Sequence, residues 1–91
     1  MSRSLHSPGY DVFRALLVDA RQASGVTQVA LAQQLACPQS VISKVERGDR
    51  RLDFVELVGW ADALGLDLPL FLERYRTRLA SLAAISRLSP P

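Results

Sequence analysis

The chain has 91 residues, 48% of them hydrophobic, which suits one domain with a modest core and excludes a disordered chain. A single cysteine and a single histidine exclude an internal disulfide framework and make a metal site improbable, so no cofactor is expected. No apolar run nears the roughly 20 residues of a membrane span and no leader pattern is visible, so the expected location is the cytoplasm.

Residues 1–9 and the closing Ser89-Pro90-Pro91 read as loose ends. The spacing predicts a first helix over 10–24, with Phe13, Leu16, Leu17 and Ala20 at i, i+3, i+4, i+7 on one stripe, ended by Gly25. Residues 27–48 read as two short helices joined by a tight turn. Thr27 caps the first, and Pro38 interrupts the pattern and suits the first turn of the second. Gly48 stops it. Ala32 falls where two crossing helices approach, Ala36 lies in the turn, and Ile42 and Val45 face inward, the order a helix-turn-helix requires. The polar face of its second helix is then free for a DNA major groove.

Along that face Gln39, Ser40 and Lys44 are the candidate base readers. Ser40 and Lys44 are one turn apart, and Gln39 precedes them at the end that enters the groove first. Gln suits adenine, Lys suits guanine and Ser is permissive. Gln28, at the N-terminus of the preceding helix, is a candidate for a phosphate, with Thr27, Ser43 and Arg47 at the edges of the site.

A fourth helix is expected over 53–64, capped by Asp53, with Phe54, Leu57, Val58, Ala61 and Leu64 inward and Trp60 at the edge of the stripe. Gly59 within it suggests a close approach by another helix. The last helix starts near Asp67 and runs to about Leu88, with Leu68, Phe71, Leu72, Tyr75, Leu79, Leu82, Ile85 and Leu88 on a stripe longer than a small core needs. Charge is polarised along the chain. Residues 44–51 carry four basic and two acidic side chains, whereas 53–67 carry four acidic and no basic ones. The net charge of +2 alone says little of nucleic acid, but this polarity suits a DNA-facing side and a far side.

The stretch GVTQVALAQQLACPQSVISKVERG resembles the phage-repressor/Cro-like helix-turn-helix family, also called the xenobiotic-response-element (XRE) type. Gly25, Val26, Thr27, Gln28, Leu31, Ala32, Leu35, Ile42, Ser43, Val45, Glu46 and Gly48 carry the resemblance; Ala36, usually Gly, and Pro38, usually Ser or Thr, depart from it. The resemblance extends through Leu66 and weakens beyond about Arg74. It implies an all-α, five-helix lambda-repressor-like fold over 10–74, with 75–91 as an extended C-terminal helix and tail. It also implies a salt bridge between Arg21 and Glu46, and backbone phosphate contacts from Arg50 and Arg51 after Gly48. Relatives use the last helix for dimer contacts, which assigns Phe71, Tyr75, Leu79, Leu82 and Ile85 to a homodimer interface. The function implied is a sequence-specific double-stranded DNA-binding regulator, a repressor acting as a homodimer on a palindromic operator. The alternative is the antitoxin half of a toxin–antitoxin pair, with the last helix binding the toxin. Cys37 reads as a small apolar turn residue rather than a redox switch. No nucleophile–base pair, metal cluster or phosphate loop marks an enzyme.

Overall fold

The computed structural model describes residues 7–88, with side chains through 85; His6 and the rest of 1–6, the closing 89–91 and the side chain of Leu88 lie outside the described residues. Five helices follow one another: α1 (Pro8–Ala23), α2 (Gln28–Gln34), α3 (Gln39–Arg47), α4 (Phe54–Leu64) and α5 (Leu68–Leu88). Among the described residues there is no strand.

Local chemistry explains where each helix begins and ends. The first starts earlier than the apolar stripe suggests, so Pro8 and Gly9 are helical and not part of a loose tail. Ser7 Oγ accepts from the Tyr10 N–H at 3.2 Å, and Pro8 occupies the first turn, where its missing N–H removes no helical bond. Thr27 caps α2 by accepting from the Ala30 N–H at 3.0 Å. Pro38 is one step earlier than expected: it is the N-cap of α3, with extended φ −64° and ψ 146°, and not in its first turn. Asp53 and Glu56 form a reciprocal capping box on α4: Asp53 Oδ1 accepts from the Glu56 N–H at 2.8 Å, and Glu56 Oε1 from the Asp53 N–H at 3.0 Å. Asp67 Oδ1 accepts from the Leu70 N–H at 3.0 Å at the start of α5.

Two turns are shaped by left-handed backbone. Gly48 ends α3 at φ 87°, a conformation that calls for glycine, and a Cβ there would also press on the Arg14 side chain, 3.1 Å from Nε. Ala36, between α2 and α3, has φ 54° with a Cβ to accommodate. That conformation costs a non-glycine residue about 1–2 kcal/mol. Ala36→Gly is therefore expected to stabilise the fold by about 0.5–1 kcal/mol after the extra chain entropy of glycine is deducted. In a thermal melt the midpoint should rise by a few degrees; an equal or lower midpoint would show that the turn holds alanine without strain.

The core is built where the helices cross. Leu17, Leu31, Ile42 and Val45 are fully buried, and Val12, Leu16, Ala32, Leu52, Trp60 and Phe71 pack around them. Burying each large side chain is worth about 1.5–3 kcal/mol. On α4, Ala61 is buried and Leu57 and Leu64 pack against the core as expected, but Phe54 and Trp60 depart from the expectation. Trp60 is 2% exposed, at the centre, while Phe54 is 72% exposed. A Cβ on Gly59 would lie 3.7 Å from Leu35 Cδ2, an ordinary contact, so the packing does not require glycine there.

The long stripe of α5 divides in two. Its first turns close the monomer's core: Phe71 is buried and meets Phe13 edge-on at 6.0 Å, and Tyr75 and Leu79 pack at the core's margin. Phe71 is thereby withdrawn from the expected dimer face. Leu72, Leu82 and Ile85 are exposed.

Candidate nucleic-acid interface

The two helices of the motif are fixed from beneath, by Ala32 where α2 meets α3 and by Ile42 and Val45 on the inner side of α3. This leaves Gln39, Ser40, Lys44 and Arg47 exposed along the outer side of α3. The three candidate readers thus share one accessible face.

A polar chain runs from α1 to the start of that face. Arg21 donates through Nε to Glu46 Oε2 at 2.6 Å and through Nη2 to Oε1 at 3.0 Å, a two-pronged pair whose side chains are only 12% and 7% exposed. Arg21 Nη1 also donates to the Val26 carbonyl at 2.9 Å. Glu46 Oε1 accepts a further bond from Gln28 Nε2 at 2.8 Å. An ionised carboxylate is an acceptor only, so it draws the amide nitrogen of Gln28 inward and turns the amide oxygen outward. That oxygen accepts from Gln39 Nε2 and from Ser43 Oγ, both at 2.9 Å. Gln28 is half-buried and joins α2 to α3.

The basic residues at the end of α3 and after it are restrained as well. Arg47 Nε lies 3.0 Å from Asp49 Oδ2. Arg50 donates to both oxygens of Glu56, at 2.7 and 3.3 Å. Hydrogen bonding to the Arg50 guanidinium, followed by the Asp53 N–H, holds the Glu56 carboxyl below the usual carboxylate range, and the same bond raises Arg50. The Arg51 guanidinium lies 4.3 Å from the centre of the Tyr10 ring, a cation–π contact. Thr27 has its hydroxyl oxygen engaged by the α2 cap.

Three structural contributors lie outside the residues singled out from sequence. The Tyr10 hydroxyl accepts from the Leu52 N–H at 3.1 Å, tying α1 to the loop after α3. Arg14 donates to the Glu46 carbonyl at 2.7 Å, closing the C-terminal end of α3. Glu56 holds both Arg50 and its own helix cap. Only the last left a readable signal, an Asp followed three positions later by Glu.

A short helix, a turn held by Ala36, and a second helix with its polar face outward define a helix-turn-helix. A family described as "Helix-turn-helix domain" matches residues 12–74. The chain is 37% identical to an "XRE-family like protein" from Pseudomonas syringae pv. tomato str. DC3000, covering 77% of this chain and 85% of that one with a TM-score of 0.72. The chain belongs to the XRE-type helix-turn-helix family of DNA-binding regulators, and is not an enzyme. The fold is also that of the restriction-modification controller protein C.Esp1396I, at 22% identity, TM-score 0.76, and coverage of 84% of this chain and 99% of that one. A point mutant of the controller gives 23% identity, a TM-score of 0.74 and coverage of 82% and 95%. No curated protein matches the chain. No helix among the described residues is long and apolar enough to cross a membrane.

Proposed function

We propose that the protein is a cytoplasmic repressor that binds a palindromic operator as a homodimer, with α3 of each copy in one of two successive major grooves about 34 Å apart. The observation that carries this reading is the hold of Gln28 on Gln39. One amide hydrogen of Gln39 is engaged by Gln28, so its amide oxygen and second hydrogen remain for a base edge, the acceptor–donor pair that adenine N6 and N7 complement. Ser40 and Lys44 extend the reading along the same face, Lys44 toward guanine. Ser43 supports Gln28 from within, and Thr27 and Arg51 flank the groove as phosphate contacts. The exposed Leu82 and Ile85, with Leu79 and Tyr75 beside them, form the dimer seam on α5.

Selection from a random duplex library tests the reading. Wild type should recover a short inverted repeat, and Gln39→Ala should relax preference at one position per half-site, by about 1–3 kcal/mol. Paired Leu82→Asp and Ile85→Asp should give monomers in sedimentation with helical content kept. Sequence-blind binding would overturn the reader. Unchanged dimers would overturn the α5 seam, and a monomeric wild type would move that apolar face to a protein partner such as a toxin.

A further inference from the structure

We propose that Glu56 and Asp49 limit the protein's affinity for DNA: each holds an arginine beside the reading helix in an internal ion pair and so withholds it from the phosphate backbone. The inference rests on the reading of α3 as the DNA-facing helix.

Glu56 makes two parallel bonds to Arg50, at 2.7 and 3.3 Å, the fork geometry in which guanidinium–carboxylate pairs are strongest. The carboxylate is anchored. Its Oε1 also accepts from the Asp53 N–H at 3.0 Å as half of the α4 capping box, so Glu56 cannot follow Arg50 to a phosphate without uncapping the helix. Arg50 Nη1, which donates to Glu56 Oε1, also donates to the Arg51 carbonyl at 3.3 Å. A phosphate must therefore displace a preorganised acceptor of the same charge sign. Asp49 holds Arg47 by a single bond from Nε at 3.0 Å, with both side chains more exposed, 59% and 55% against 39% and 34% for Arg50 and Glu56. Two of the four basic side chains in residues 44–51 are thus neutralised by acids of the chain itself. Non-specific binding rests almost wholly on phosphate neutralisation and counterion release, so it is the quantity these acids restrain most directly.

The test is fluorescence anisotropy on the selected operator and on an unrelated duplex across a salt series. The proteins are wild type, Glu56→Gln, Asp49→Asn, the Glu56→Gln/Arg50→Gln double variant, and the exposed Asp62→Asn as a control of equal charge change. Glutamine serves at position 56 because it can keep the capping box. Glu56→Gln should bind both duplexes several-fold more tightly at low salt, and its plot of log affinity against log salt should steepen by about 0.9, one further phosphate. Asp49→Asn should act in the same direction and less. The double variant should return to the wild-type slope, and Asp62→Asn should leave that slope unchanged. An unchanged slope for Glu56→Gln, a weaker affinity with its helical content kept, or an equal effect from Asp62→Asn would overturn the proposal. Should Glu56→Gln fail to fold, Asp49→Asn, which lies outside the capping box, decides by the same slope. Wild type binding no duplex at all would instead overturn the DNA-binding reading, and this inference with it.

Discussion

Glu46→Ala is expected to destabilise the protein by about 3–5 kcal/mol, the range for removing one partner of a buried ion pair. The size follows from what would be left behind. Arg21 is nearly enclosed, with its guanidinium aimed at the missing carboxylate and one nitrogen fixed on the Val26 carbonyl. Gln28 would lose the acceptor that orients its amide. A domain of ordinary stability has only about 5–15 kcal/mol in total, so the variant should be partly unfolded at modest urea concentrations. By contrast Asp49→Ala, which breaks an exposed pair, should cost under about 1 kcal/mol. Urea titration followed by helical signal measures both. A loss below about 1 kcal/mol for Glu46→Ala would mean that Arg21 swings out to water once unpaired, and that the pair is not a strut of the fold.

Trp60→Ala should be equally severe, at about 3–5 kcal/mol, because a large side chain at the centre of the helix crossing would leave a cavity. Phe54→Ala, six positions earlier in the same helix, should change stability by no more than about 0.5 kcal/mol, since its ring is mostly in solvent. The pair of variants tests directly which of the two rings α4 places in the core. Comparable losses from both would place Phe54 in the core, as the helical pattern suggested.

At Phe54 and Trp60 that pattern misled for a physical reason. Nearly every position of FVELVGWADAL is apolar, so the helical period has no polar side against which to choose a face. In α3 the polar and apolar positions separate cleanly, and the inward placement of Ile42 and Val45 was legible at once. The helix-turn-helix was readable because cap, small residues, branched residues and stop glycine must all fall at set offsets. The Arg21–Glu46 pair, 25 residues apart in sequence, came only with the family resemblance, since no local rule joins such distant charges. Tyr10 was hidden because its work is done by one hydroxyl against a loop amide 42 residues away. The internal contacts of Gln28 were hidden for a related reason. Its position at a helix start suggested phosphate, but the direction of its amide is set by Glu46 and Gln39, which belong to another helix.

The hold of Gln28 on Gln39 also bears on how such a protein can diversify. Among the described residues no side-chain partner ties down Ser40 or Lys44, so either can be exchanged without disturbing the scaffold. Gln39 is a shared part: on the reading proposed above, replacing it would change the reading, and it would also remove one of the two donors that satisfy the Gln28 oxygen. Lineages descending from this chain would acquire new targets most readily at positions 40 and 44, keeping the glutamine pair as an inherited constant.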